Sequence, residues 1–225
     1  MITFEHVTKR YPLGNTGLED VSFSIEDNEF VFLVGPSGAG KTTILKMLLR
    51  EYMPTSGKVI VNGVTISAKK FHDVPKLRRT LGVVFQDFKI LPDKNIYENI
   101  ALGMRVAGYH ASDIKREEHD ALELVGLTHK MRVFPAQMSA GELQRIAIAR
   151  AIIGNRDIII ADEPTGNLDP KTTWEIMKIF KKLEGKKTIL MATHNTDIVN
   201  SLKKRVLVMK EGKLVKDIKK GGYEL

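Results

Sequence analysis

Nine consecutive residues, Gly35-Pro36-Ser37-Gly38-Ala39-Gly40-Lys41-Thr42-Thr43, fit the spacing G-x-x-x-x-G-K-[ST] of a phosphate-binding loop. Side-chain-free positions let successive backbone N–H groups turn inward on phosphate oxygens, where a Cβ would clash. Lys41 brings a full charge to the β- and γ-phosphates, and Thr42 offers a hydroxyl to Mg²⁺. A second group lies far along the chain. Asp162-Glu163 follow the apolar run Ile158-Ile159-Ile160-Ala161. Two adjacent acids at the carboxyl end of a buried strand are costly unless they bind something, and a Mg²⁺ ion with its phosphate would satisfy both. Gln86 and His194 also stand at the exits of apolar runs.

These residues need elements to hold them. Phe30 to Val34 reads as a buried strand, and Ile44, Leu45, Leu48 and Leu49 follow at helical spacing. Strand, loop and helix are the context the phosphate loop requires. The loop is then a nucleotide site, with the positive end of the helix from Lys41 adding to it. Residues 58–63 form a strand running into an Asn62-Gly63 turn, and residues 81–85 form a strand that Gln86 leaves. Residues 157–161 and 188–192 are fully buried strands by composition. Val206 to Met209, the Glu211-Gly212 turn and Lys213 to Val215 make a hairpin.

At the start of the chain, Ile2, Phe4 and His6 alternate with polar residues, as do Val21, Phe23 and Ile25. Tyr11 follows near a strand end, where it either packs an edge or stacks on a purine ring. From 87 to 155 the character turns helical, with periodicity over 114–124 and Gly126 as a stop. Ser139-Ala140-Gly141-Glu142 is a capping box. It opens a helix with Leu143, Ile146, Ala147 and Ala151 as the apolar stripe. Asp169-Pro170 is a helix start, with Ile176, Ile179, Phe180 and Leu183 inward.

The bulk composition is that of a soluble globular chain: 43% hydrophobic and 28% charged over 225 residues. There is no cysteine, so no disulfide framework and no thiolate metal site. The first residues lack the basic and apolar regions of a secretory signal, and no stretch approaches a membrane span. The net charge of +8 is uneven, with 14 Lys/Arg against 6 Asp/Glu in residues 171–225. This basic quarter reads as a solvated face with a frayed tail, or as a surface near anionic lipid. Nucleic acid is not expected, because few aromatics interleave the basic runs.

Taken together and in order, these residues resemble the ATP-binding cassette ATPases over essentially the whole chain. The resemblance rests on the phosphate loop, Gln86, Ser139-Ala140-Gly141-Glu142, the strand into Asp162-Glu163, Asn167-Leu168-Asp169 and Thr193-His194. It implies an α/β fold: a mostly parallel P-loop sheet with an antiparallel β-subdomain and a helical insert. One domain would span 1–225, with its core in 1–86 and 156–225 and its helical subdomain in 87–155. ATP and Mg²⁺ are the implied ligands. Tyr11 would stack on adenine, and Gly35, Ser37, Gly38, Ala39, Gly40, Lys41, Thr42 and Thr43 would cradle the phosphates. Thr42, Gln86 and Asp162 would hold the metal. Glu163 would be the general base and His194 would contact the γ-phosphate, with Gln86 and Lys41 in the catalytic set. Ser139, Gly141 and Asp169 would face ATP bound on a second copy, which implies a head-to-tail homodimer with ATP at its interface. Two positions depart from the family pattern: Ala140 stands where glycine is usual and Met138 where leucine is.

Within the family, residues 162–169 resemble the branch of lipoprotein-release ATPases, macrolide-type exporters and cell-division ATPases. Phe85-Gln86-Asp87-Phe88-Lys89-Ile90-Leu91 and Ile96-Tyr97-Glu98-Asn99-Ile100-Ala101 are similar to the cell-division group, as are residues 1–4 and 74–79. That resemblance implies an integral membrane partner of FtsX type, whose short cytoplasmic helix would dock near Phe88 and Leu91. ATP cycling would control cell-wall hydrolases, from a cytoplasmic, peripheral position on the inner face of the membrane. The alternative is the nucleotide-binding subunit of a lipoprotein-release or macrolide-type exporter. Soluble cassettes acting on DNA or ribosomes usually carry two cassettes or a long coiled-coil insert, and this sequence has neither. A non-catalytic ATP-binding module would lack the base that Glu163 supplies.

Overall fold

The computed structural model describes residues 1–12, 14–154 and 156–221. Along the chain run β1 (Ile2–Arg10), β2 (Thr16–Ile25), β3 (Phe30–Val34), α1 (Lys41–Leu48), β4 (Ser56–Val61) and β5 (Val64–Thr65). Then follow α2 (Val74–Thr80), β6 (Leu81–Val84), α3 (Ile96–Val106), α4 (Ala111–Leu124) and α5 (Ala140–Ile152). The chain continues through β7 (Ile158–Asp162), α6 (Pro170–Leu183), β8 (Thr188–Ala192), α7 (Thr196–Leu202), β9 (Arg205–Lys210) and β10 (Lys213–Ile218). These fall into two compact units, one of Met1–Arg78 with the residues from Gly185 on, the other Arg79–Glu184. The expected boundary at 155 and the last four residues of the expected domain lie outside the described residues.

In the first unit, β2-β1-β4-β5 form an antiparallel sheet. Its inward face carries a stacked cross-strand pair, Phe4 and Phe23, with centroids 4.7 Å apart. His6 does not continue the alternation: it is exposed at φ 49°, and Val7 takes the buried position. Register shifts on both sides of it mark a bulge, whose amide donates to Ser22 Oγ at 2.9 Å. The Asn62-Gly63 turn joins β4 to β5 with both residues at positive φ, as a two-residue hairpin turn requires.

The same unit holds β3 between two parallel neighbours, β8 and β9, with β10 antiparallel on β9. Every residue of β3 and of β8 is buried, as strands covered on both faces should be. Arg205 staples this region. Its guanidinium donates to Asp217 at 2.7 and 2.8 Å, to Glu29 at 3.1 Å and to the Ser24 carbonyl at 2.8 Å. Hydrogen bonding from Arg205 holds the Asp217 carboxyl below its usual range.

In the second unit, β6 and β7 are parallel and helices α3, α4 and α5 pack on one another. A capping box of Asn95 and Glu98 starts α3. Buried Asn99 accepts from the Leu91 amide and donates to the carbonyls of Leu91, Lys94 and Asn95, so its amide group is satisfied. α4 ends in a Schellman motif, with Leu127 N–H on the Leu122 carbonyl at 2.9 Å and Gly126 N–H on Glu123 at 3.0 Å. The apolar surface of α5 is wider than one stripe: Ile146, Ala147, Ile148 and Ala149 are all fully buried, while Leu143 is only half-buried.

Candidate active site

β3 leads directly into the phosphate loop, and α1 leaves it. Gly35 sits at φ 147°, with the Met209 carbonyl occupying the place a Cβ would take. Gly40 is the N-cap of α1 at φ 105°. No side chain caps α1 and no acid lies in its first turn, so nothing within the helix's own first turn offsets its positive end. The base of the loop is held from outside: Gly212 N–H donates to the Ala39 carbonyl at 3.2 Å. Pro36, Ser37, Gly38 and Thr42 are exposed, whereas Ala39 and Gly40 are buried. Lys41 Nζ donates to the carbonyls of Gly35 at 2.6 Å and Pro36 at 3.1 Å, which keeps its charge at the loop. A hydrophobic strand, a donor-rich turn and a lysine thus meet in the arrangement that suits a polyphosphate.

Thr43 is buried, and its Oγ1 lies 2.9 Å from the Tyr11 hydroxyl. The Tyr11 ring is half-buried, edge-on to Tyr52 at 5.8 Å, with Lys9 Nζ 5.5 Å from its centroid. His194 follows β8 and is exposed. Thr193 N–H donates to the Leu33 carbonyl at 3.1 Å, and Asn195 caps α7. The pairing of Leu33 with Ala192 sets the carboxyl ends of β3 and β8 level, so His194 leaves the sheet at the edge where the phosphate loop begins.

The second unit gathers the other acids and amides. Val84 pairs with Ala161, so Gln86 and Asp162-Glu163 emerge from the same end of β6 and β7. A Cβ on Gly166 would stand 3.3 Å from Gln86 Nε2 and 3.6 Å from Glu163 Cβ, so both side chains flank that residue. Glu163 has φ 46°, a left-handed angle uncommon outside glycine, and its carbonyl accepts from Gly166 N–H at 3.1 Å.

Ser139 caps α5 with Glu142 in a reciprocal box. Glu142 also meets Lys130 Nζ at 2.6 Å, and that bond, with the Ser139 amide, lowers its pKa. Ala140 is the first residue of α5 and is exposed, so its methyl fits the helical angle there. Gly141 lies against Thr172 of α6. Asp169 caps α6, accepting from Thr172 N–H at 3.0 Å and from Thr172 Oγ1 at 2.6 Å. Those bonds hold its carboxyl below the usual range.

The first unit therefore brings Tyr11, the loop and His194 to one region. The second brings Gln86 to Glu163, and joins Ser139-Gly141 to Asp169 through Thr172. One participant escapes a reading of motifs. Arg150, near the end of α5, hydrogen-bonds the backbone just beyond Gln86. No local pattern marks it, because its partners lie about sixty residues away.

Comparison with known proteins agrees with this geometry. Residues 18–166 match the family model described as ABC transporter. The cell division ATP-binding protein FtsE of Bacillus subtilis (strain 168) is 48% identical over 224 residues, covering 99% of this chain and 98% of that protein. FtsE of Streptococcus pneumoniae serotype 2 is 51% identical over 225 residues, covering 99% and 97%. Among solved structures, the dimeric structure of MJ0796, a bacterial ABC transporter cassette, superposes with a TM-score of 0.87 at 33% identity. It covers 99% of this chain and all of that one. The same cassette in a dimeric post-hydrolysis state bound to ADP and Pi gives 0.87 at 32% identity, with the same coverage. The fold is thus the expected α/β cassette, a mixed, mostly parallel sheet with an antiparallel subdomain. With the family model matching residues 18–166 and the relatives and solved folds aligning over 99% of its length, the chain belongs to the ABC transporter family as an ATPase that converts ATP to ADP and phosphate, in the FtsE group of cell division ATP-binding proteins.

Proposed function

We propose that this chain is the ATP-hydrolysing subunit of a membrane complex in cell division, coupled to an integral membrane partner of FtsX type that controls cell-wall hydrolases. The observation that carries this reading is 48–51% identity to FtsE proteins across 99% of the chain. The reading treats residues 1–225 as one cassette, with its core in 1–86 and 156–225 and its helical subdomain in 87–155. Two copies close head to tail over ATP. That the similar cassette MJ0796 is dimeric supports a two-copy assembly. Among the described residues no helix is long and apolar enough to cross a membrane. Attachment to the inner face then runs through the partner, with the basic residues of the last quarter facing anionic lipid.

Each group has a role in this reading. Tyr11 stacks on adenine. Gly35, Ser37, Gly38, Ala39, Gly40, Thr42 and Thr43 line the phosphates, and Lys41 supplies charge to them. Thr42, Gln86 and Asp162 offer a hydroxyl, an amide carbonyl and a carboxylate, an all-oxygen set of the kind Mg²⁺ takes. When bound, that ion would supply positive charge to the phosphate oxygens. Glu163 accepts a hydrogen bond from the attacking water and orients it, with Gln86 beside it. His194 donates to the γ-phosphate as charge develops there. Ser139, Gly141 and Asp169 reach the nucleotide of the second copy, so hydrolysis waits on closure.

The test is a membrane pull-down with the tagged Glu163→Gln protein and ATP. Recovery of a four-span division protein with a large outer loop is expected. Recovery of a lipoprotein-release or efflux permease moves the function to export and keeps the site assignments. Recovery of no membrane protein overturns the membrane reading altogether.

A further inference from the structure

Directly after Gln86 the backbone does something costly. Phe88 and Lys89 have φ 59° and 50°, two successive left-handed residues, neither of them glycine. Such angles are unfavourable for residues with a side chain and persist only where surroundings impose them. Two local bonds contribute: Phe88 N–H to the Phe85 carbonyl at 3.4 Å and Lys89 N–H to Asp87 at 2.6 Å. The decisive contact comes from α5. Arg150 Nη2 donates to the Phe88 carbonyl at 2.7 Å and Nη1 to the Lys89 carbonyl at 2.6 Å. A planar guanidinium offers two donors in one fixed fork, which matches two adjacent carbonyls only when the turn has this shape. Arg150 is itself anchored, because Arg156 Nη1 donates to its carbonyl at 3.0 Å.

We propose that Arg150 is a positioning residue for Gln86: its fork clamps the Phe88-Lys89 turn and so holds the Gln86 amide beside Gly166 and Glu163. The helix that Ser139 and Gly141 open thereby sets, at its other end, the loop that carries Gln86. This rests on the assignment of Gln86 to the nucleotide site. Arg150 touches no substrate in this proposal and acts only through the turn.

The experiment measures steady-state ATP hydrolysis by the full chain with Glu163 intact, for four changes. Arg150→Lys leaves one donor group without the fork and is expected to lower kcat about tenfold with KM for ATP within twofold of normal. Lys89→Val puts a β-branched residue at a left-handed angle and is expected to give the same split. This second variant keeps the proposal testable should Arg150→Lys not fold. Lys89→Gly relaxes the turn. Combined with Arg150→Lys it is expected to restore kcat to within threefold of Lys89→Gly alone, a rescue that a general packing role for Arg150 would not give. Gln86→Ala is the control for the underlying assignment. If it leaves kcat unchanged, the placing of Gln86 in the site fails. If it lowers kcat while Lys89→Val and Arg150→Lys do not, the clamp alone is overturned. A fall in kcat matched by a rise in KM, or a double variant no better than Arg150→Lys, also overturns it.

Discussion

The Cγ2 methyl of Thr172 occupies the space that a Cβ on Gly141 would need. The first turn of α5 thus meets α6 at the residue whose hydroxyl holds Asp169. Gly141→Ala overpacks this contact and should cost about 1–3 kcal/mol in urea unfolding. Thr172→Ser removes the methyl but keeps the hydroxyl on Asp169. Added to Gly141→Ala, it should recover most of the loss. A double variant as unstable as Gly141→Ala would show that the strain lies elsewhere.

Glu163 combines a carboxylate at the end of β7 with a left-handed backbone angle. Glu163→Gln keeps shape and removes the base. We expect hydrolysis to fall about 10²–10⁴-fold while ATP affinity stays within a few-fold. Single-turnover kinetics and equilibrium binding of ATP check both halves. Hydrolysis at the original rate would remove Glu163 from its role.

Tyr11 carries two separable contacts, its hydroxyl on Thr43 and its ring face. Tyr11→Phe should cost about 1 kcal/mol of stability and leave ATP affinity unchanged. Tyr11→Ala should weaken ATP binding about tenfold if the ring stacks on adenine. An unchanged dissociation constant, with only a lower melting temperature, would assign the ring to packing.

Glu118 on α4 is fully buried, and neither carboxylate oxygen has a hydrogen-bond partner. Burial raises its pKa to about 7, against which the charge of Arg105 works in the other direction. The folded protein therefore binds a proton here that the unfolded chain releases near the ordinary value of 4.5. Stability from this group is complete below that value and is lost as pH rises through 7, by an amount on the order of 3 kcal/mol. Glu118→Gln should remove this slope. Urea unfolding of both proteins between pH 5 and 8 should give curves that converge at the acid end and separate at the alkaline end, the variant being the more stable.

What could be read ahead of the fold was what lies close along the chain. The phosphate loop and its flanking apolar runs are contiguous, as are Ser139-Glu142 and Asp169-Pro170, and each forms as its residues indicate. α3 carries local signals too: Asn95 and Glu98 form a capping box, and Ile96, Ile100 and Met104 recur every fourth residue. β5, at two residues, is too short for any periodicity to mark it. The bulge at His6 depends on partners across two strands, Ser22 among them, so alternation alone misassigned that residue. The clamp from Arg150 and the contact of Gly141 with Thr172 are tertiary in the same sense. Nothing near either residue foretells its partner.

The phosphate loop is finished by residues made long after it. Met209 supplies the carbonyl that lies against Gly35, and Gly212 supplies the amide that ties down Ala39. On the ribosome, residues 35–41 emerge early and must wait for the β9–β10 turn before these contacts can form. The loop's final tie-downs are therefore postponed until most of the polypeptide has been translated, so its finished shape is among the last local structures to be locked although its sequence is among the first made.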